Sequence, residues 1–318
     1  MARAQGARAK MALGFESVYG TPPASGSFWQ MPFASTTLGS EQPLLGNELL
    51  GYGRDPLPPV KDAITADGDV VVPIDPRFLG IWLKALFGEP TTTGASAPYT
   101  HEFQSGAYNL PSMAIEVQNP DVPSFRMMSG VKANSITWNM QRSGLVTATV
   151  NCIAQGETTA TSSAAGTLTE LTLGRFGAFN GAIKREGSQL GNVVSGQITY
   201  TNNLDRVETI RNDGKIDGAD EGIAMLSGEI VVRFADTVLL NQAIGGTDCE
   251  LDFEYSIDAN TKLNLVAHEV YLPRPRLPIS GPGGMQATFA WQASYNSSEG
   301  VMCTATLLND MPDFDNPS

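Results

Sequence analysis

Ser135-Ile136-Thr137-Trp138-Asn139-Met140-Gln141 alternates without a break, and Arg142-Ser143-Gly144 then turns the chain into Leu145 to Ile153. On an extended backbone successive side chains point to opposite faces. Ile136, Trp138 and Met140 therefore share one face, and Ser135, Thr137, Asn139 and Gln141 share the other. The return stretch repeats the pattern, with Val146, Ala148, Val150 and Cys152 set against Thr147, Thr149 and Asn151. This pattern predicts a long β-hairpin with one apolar face and one polar, almost uncharged face.

Upstream of the hairpin, Asp67-Gly68 marks a turn and Asp69-Val70-Val71-Val72 a strand. Asp75-Pro76 opens a helix, with Asp as cap and Pro in the first turn. Phe78, Leu79, Trp82, Leu83, Leu86 and Phe87 form its apolar stripe, and Gly88 ends it. Residues 113–118 and 124–132 are further strands. Residues 11–60 are rich in Gly and Pro, with short apolar runs such as Phe28-Trp29-Gln30-Met31-Pro32-Phe33, and predict loops and short strands. Residues 1–10 form a flexible basic arm (Arg3, Arg8, Lys10). Residues 156–167 are small and polar and predict a linker. Residues 311–318 form an acidic tail.

Beyond the linker the order of elements recurs. Gly228-Glu229-Ile230-Val231-Val232-Arg233-Phe234 echoes Gly68-Asp69-Val70-Val71-Val72-Pro73-Ile74. Asp236 to Ile244 is a short helical stretch ended by Gly245-Gly246, and strands 248–257 and 261–270 follow. A closing hairpin runs from Gln286 to Gln292 and back from Val301 to Leu308, with Gln286, Thr288, Gln292, Thr304 and Thr306 on its polar face. The spacing predicts a tandem duplication of one β-rich unit, residues 11–155 and 168–310. Two unrelated β regions with similar turns are the alternative.

Composition narrows the function. Of the 318 residues 42% are hydrophobic and only 17% charged, and the net charge is −13. A protein that grips nucleic acid through clustered Lys and Arg is excluded by that balance. The three cysteines, Cys152, Cys249 and Cys303, are widely spaced and form no CxxC, which fits reduced thiols rather than a disulfide scaffold or zinc site. The most apolar run, Val70 to Phe87, is broken by Asp75, Arg77 and Lys84, so no membrane insertion is expected. The basic start of the chain lacks the apolar region of a signal peptide.

No catalytic, cofactor-binding or metal-binding residues are assigned. The two histidines, His101 and His268, are 167 positions apart, and no GxSxG, Walker, GxGxxG or HExxH pattern occurs. Asp213-Gly-Lys-Ile-Asp217-Gly218 resembles the start of a calcium loop but has Lys215 and Ala224 where oxygen ligands belong. Asp248, Glu250, Asp252 and Glu254 alternate with apolar residues, which puts the four acids on one strand face. A solvated outer face, a negative wall that repels DNA, a divalent-cation site and a glycosidase carboxylate pair all remain open for them. The polar hairpin faces are either the solvent side of a sandwich or the lining of a pore.

The Asp67–Gly88 block, the hairpin through Ser143-Gly144 and the stretch from Leu226 to Leu308 resemble the major tail tube proteins of long-tailed phages and prophages. The resemblance covers most of the chain beyond residue 60. It implies a mainly β fold: a β-sandwich or barrel with short flanking α-helices, whose hairpins join neighbours around a DNA-conducting lumen. It implies a structural virion protein, made in the bacterial host cytoplasm, with no enzymatic activity and no cofactor. The implied partners are further copies of the chain, a tape measure protein inside the tube, tail terminator and tail tip proteins, and phage DNA passing without specific binding.

A duplicated chain needs three copies to supply six units. A threefold ring with pseudo-sixfold symmetry is therefore expected over a plain hexamer. Thr137, Asn139, Gln141, Thr147, Thr149, Asn151, Gln286, Thr288, Gln292, Thr304 and Thr306 are the lumen candidates. A β-sandwich adhesin or carbohydrate-binding module is the competing expectation. It requires exposed aromatic residues, whereas a tube protein buries Trp138 and Trp291.

Overall fold

A computed structural model of the chain describes residues 3–46, 49–279, 281 and 283–317. Strands β1 (Lys10–Phe15), β2 (Trp29–Met31), β3 (Ser35–Thr36), β4 (Gly39–Glu41), β5 (Leu44–Leu45), β6 (Val60–Lys61) and β7 (Thr65–Pro73) lead to helix α1 (Phe78–Phe87). Then come β8 (Thr91–Thr93), β9 (Tyr99–Gln104), β10 (Met113–Asn119), β11 (Ser124–Gln141), β12 (Thr147–Ile153) and β13 (Gly156–Ala160). The second half has β14 (Gly181–Arg185), β15 (Ser188–Gln189), β16 (Val193–Thr201), β17 (Asp205–Val207), β18 (Gly218–Asp220), β19 (Met225–Arg233) and helix α2 (Val238–Gly245). It ends with β20 (Cys249–Asp258), β21 (Thr261–Tyr271), β22 (Gln286–Ala293) and β23 (Cys303–Asn309).

The alternating stretches become strands, and their apolar faces find one another. Six strands form an antiparallel run in the order β7–β12–β11–β16–β19–β22. A second run, β14–β20–β21–β23–β9–β8, lies across the core from it. Phe253 of the second run stacks on Trp291 of the first with ring centroids 5.3 Å apart. The two runs meet at one corner, where Val270 and Tyr271 pair with Ala293 and Gln292. The first half of the long β11 belongs to a third layer, ordered β2–β1–β10–β11–β13. One apolar cluster runs through both halves of the chain, from Met11 to Phe314.

Helix α1 packs against β11 and β9. Asp75 Oδ1 accepts from the backbone N–H groups of Arg77 (2.7 Å) and Phe78 (2.8 Å), which caps the helix start as the sequence predicts. Gly88, at φ 89°, ends it. The helix is buried all round rather than along one stripe, Lys84 included. The Lys84 ammonium is satisfied by Asp315 (2.6 Å) and Glu89 (2.7 Å). Helix α2 is capped by Asp236, whose Oδ1 accepts from Val238 N (3.0 Å), and ends at Gly246. It buries only Leu239 and Ala243.

Pairings recur between the halves. Ser35↔Val71, Thr36↔Val70, Gly39↔Asp67, Ser40↔Ala66 and Glu41↔Thr65 in the first are matched by Ser195↔Val231, Gly196↔Ile230, Thr199↔Ser227, Tyr200↔Leu226 and Thr201↔Met225 in the second. Each pair is displaced by the same number of positions, and α1 and α2 begin at that displacement too. Gly68 and Gly228 lie inside β7 and β19, where the sequence predicts a turn at Asp67-Gly68, and both are glycine for the same physical reason. A Cβ on Gly68 would meet the Leu38 backbone at 2.6 Å, and one on Gly228 would meet the Gln197 carbonyl at 1.9 Å.

Four sequence expectations change. Of residues 156–167, Gly156–Ala160 form β13, and Glu116 accepts hydrogen bonds from Ser163 and from the backbone of Ala164 and Ala165. The basic arm, described from residue 3, is held by Arg8 on Asp121 at 2.5 Å and by Lys10, which starts β1. The acidic tail is docked rather than solvated: Phe314 is buried on Gly80, and Asn316 pairs with the backbone of Phe15. Finally, β22 and β23 are not partners. The first pairs with β19 and the second with β21 and β9, because the chain crosses from one layer to the other between them.

His101 is fully buried beside the docked tail. Its Nε2 faces two acceptors, Met311 O (2.9 Å) and Asn309 Oδ1 (3.1 Å), so Nε2 carries the proton and Nδ1 accepts from Thr92 (2.8 Å). Burial pushes its ionisation below the ordinary histidine range. A neutral buried imidazole stabilises the fold fully above about pH 6.5, and that contribution is lost as the pH falls below it. Chemical denaturation from pH 7 to pH 5 should therefore show a steeper loss of stability in the wild type than in His101→Gln. In the same assay Phe314→Ala should cost about 3 kcal/mol, the usual scale for an emptied aromatic site.

Candidate functional site

The outer face of the six-strand run is a broad, mainly polar surface broken by Val71, Val231 and Ala290. Across it, in register, lie Thr149 of β12, Thr137 of β11, Thr199 of β16, Ser227 of β19 and Gln292 of β22. The next row holds Asn139, Gln197, Glu229 and Ala290, and beyond it lie Gln141, Ser195, Val231 and Thr288. Hydrogen bonds run along the rows from strand to strand: Thr137 Oγ1 to Thr199 Oγ1 at 3.0 Å, and Asn151 Nδ2 to Asp69 Oδ1 at 2.8 Å. The opposite side of the same strands carries Val70, Val150, Ile136, Trp138, Ile198, Ile230, Phe289 and Trp291, all buried. Strict alternation therefore fixes which face is wet.

The chemistry of this surface is mild. Its side chains are mostly hydroxyls and amides, with Asp67, Asp69, Glu229 and Arg233 as charged exceptions. Such groups hold water but supply no row of cations to displace the counterions of a phosphate backbone.

Nine of the eleven residues singled out from the sequence come together here: Thr137, Asn139, Gln141, Thr147, Thr149, Asn151, Gln286, Thr288 and Gln292. Thr304 and Thr306 do not. They sit on β23, opposite Val266 and Asn264 of β21 and Gln104 and Glu102 of β9, on the far side of the core. Local alternation is the same in either layer, so it could not separate them. Ser195, Gln197 and Thr199 of β16 were missed, although Ser-Gly-Gln-Ile-Thr-Tyr-Thr carries the same alternating signal.

On the acidic strand Asp248 precedes β20, while Cys249, Leu251, Phe253 and Tyr255 are buried and Glu250, Asp252 and Glu254 share the opposite face; the bulge opposite Cys249–Leu251 lies in β21. Lys184 lies between the remaining acids, 2.5 Å from Glu254 and 3.7 Å from Asp252. Burial pushes the Asp252 carboxyl up, against the pull of that ammonium. His268 donates or accepts at Thr304 (2.9 Å) and lies 3.8 Å from Glu250. Among the described residues, no three His, Cys, Asp or Glu side chains are grouped to hold a metal ion. The three thiols are buried, and burial pushes Cys152 and Cys303 to about 12, which keeps them unreactive.

The six-strand run has two edges. On one side β22 meets β21 only at its last two residues, which leaves Gln286 to Trp291 without an outer partner among the described residues. On the other side lie the short strands β3 and β4, paired among the described residues only with β7. Unpaired backbone donors and acceptors at such edges invite another strand.

A protein-family model described as phage tail tube protein matches residues 6–293 of the chain. No curated protein matches it.

The two faces of the sheet predict opposite mutational costs. Asn139→Ala and Thr288→Ala should each change the unfolding free energy by less than about 0.5 kcal/mol, as exposed positions do. Trp138→Ala and Trp291→Ala should each cost at least about 3 kcal/mol. Urea denaturation of the four variants checks the assignment.

Proposed function

The chain belongs to the phage tail tube protein family, and from that premise we propose that three copies close into a ring whose stacked repeats form the tail tube. It is a structural component of the virion tail that associates with itself. Each copy supplies two tandem units, which gives the ring pseudo-sixfold symmetry. The observation that carries this reading is the β11–β16 pairing. There a strand of the first half meets a strand of the second, Ser135 to Thr201 through Gln141 to Ser195.

Because β3–β4 pairs with β7 as β16 pairs with β19, the β3–β4 edge corresponds to the β16 edge. The same kind of junction therefore closes the ring between copies, with the stretch that follows Tyr271, the counterpart of β11 beyond Lys132, joining the β22 edge of one to the β3–β4 edge of the next. Closure removes both exposed edges. Head-to-tail contacts along the axis do not close and so extend the tube.

The polar face of the six-strand run lines the lumen in this arrangement, and the acid-bearing layer faces outward. DNA passes a wall of hydroxyls and amides that neither repels it strongly nor releases its counterions. The tape measure protein occupies the same lumen before ejection, and the terminator and tip proteins cover the tube ends. A sugar-binding module is the poorer reading, because Trp138 and Trp291 are buried rather than offered to a ligand.

Tubes assembled from the wild type should retain no short duplex DNA at physiological salt. Tubes carrying Asn139→Lys, Thr149→Lys and Thr288→Lys together should retain it, with an affinity that falls steeply as salt rises. Equal retention by both, measured with labelled duplex in a pelleting assay, would contradict a neutral lumen.

A further inference from the structure

Two long connections leave the six-strand run at matching places. One joins Glu41 of β4 to Thr65 of β7, and the other joins Thr201 of β16 to Met225 of β19. They have equal length, and each carries a small two-stranded hairpin, β5–β6 in the first and β17–β18 in the second. Their surroundings differ sharply.

The second connection clasps the first half of its own chain. Its Arg206 pairs with Asp67, its Gly214 carbonyl accepts from Ile64 N (2.8 Å), and its Glu221 holds Lys132 at 2.7 Å. Lys215 lies over Gly156. Among the described residues the first connection makes one such contact, the Ile64 N–H bond to Gly214 at its end. Among the described residues 41–63 every one but Leu57 is exposed. Its other hydrogen bonds among the described residues are internal, such as Gln42 Nε2 to Asp62 O (2.8 Å). Yet it carries Leu44, Leu49, Leu50, Tyr52 and Val60, exposed by 60 to 94%. A run of large apolar side chains held in water marks an interaction site.

We infer that the first connection is an arm that clasps the second half of a neighbouring copy of this chain, as the second connection clasps the first half of its own. The register locates the receiving surface. Lys132 pairs with Ile153, which lies opposite Asp67. Tyr271 pairs with Gln292, which lies opposite Ser227, the counterpart of Asp67. Tyr271 therefore stands where Lys132 stands, and Tyr295 stands where Gly156 stands. Both tyrosines are exposed, by 42% and 65%.

Beside them is Glu269, which accepts from the Tyr271 hydroxyl at 3.0 Å and from Ser294. Lys61 of the arm is the counterpart of Glu221, so the charges are reversed on both sides. A Glu221–Lys132 pair within the chain becomes a Lys61–Glu269 pair between chains. The apolar residues of the arm cover the two tyrosines.

The arm rests on the ring reading, and one assembly experiment separates the two. Sedimentation velocity over a concentration series gives the concentration for half-assembly of each variant, and thermal melts check that the monomer is intact. A variant with Leu44→Ser, Leu50→Ser and Tyr52→Ser should melt as the wild type does but need more than about tenfold higher concentration to assemble, which is about 1.4 kcal/mol. Lys61→Glu and Glu269→Lys should each raise that concentration severalfold, and the two combined should restore it. If the wild type assembles and these variants match it, or the combined charge reversal fails to recover, the arm is overturned and the ring stands. A wild type that stays monomeric throughout overturns both.

Discussion

The β11–β16 pairing is the contact on which the molecule depends. A sheet with one apolar face must bury that face, and its edges must find partners. Each half of this chain contributes three strands and is open at the side where the other half begins. Joining β11 to β16 removes one edge from each half and lays their apolar faces over one core, so that Trp138, Ile198 and Trp291 are buried within the same cluster. The chain cannot be cut into two independent modules at residues 156–167, because β13 is paired into the sheet and the core is shared.

The two halves use the same pairings to different ends. Helix α1 is sunk into the core, with the docked tail closing over it through Phe314 and Asp315. Helix α2 stays at the surface and leaves Val238 and Ile244 about half exposed. Likewise one connection is folded onto the body and the other is held out in water. Divergence of this kind is what a chain needs if one junction is internal and its counterpart lies between copies.

Much of this was legible in the sequence where the cause is local. Asp75 and Gly88 bound the first helix because a cap and a left-handed turn are properties of single residues. The hairpin at Ser143-Gly144 and the wet face of Thr137 and Thr149 follow from period-two alternation. Layer membership was not legible, since Thr304 alternates as cleanly as Thr288 while lying on the other side of the core. Nor was the docking of Phe314 onto Gly80, a contact between residues far apart in the chain that no local pattern encodes. The exposed leucines near residue 50 sit among glycines and prolines and carry no periodicity, so their meaning emerges only beside the matching connection of the second half.

The central claim is that the polar face of the six-strand run turns inward in a closed ring. A side-chain-resolution electron cryomicroscopy map of the assembled protein tests it most directly. The account predicts threefold rings in which Thr137, Asn139 and Thr288 line the channel and the β22 edge is joined to β3–β4 of the next copy through the stretch that follows Tyr271. A channel lined by β20 and β23, with Glu254 and Thr306 inward, or rings in which the β22 edge lies open to solvent, would contradict it.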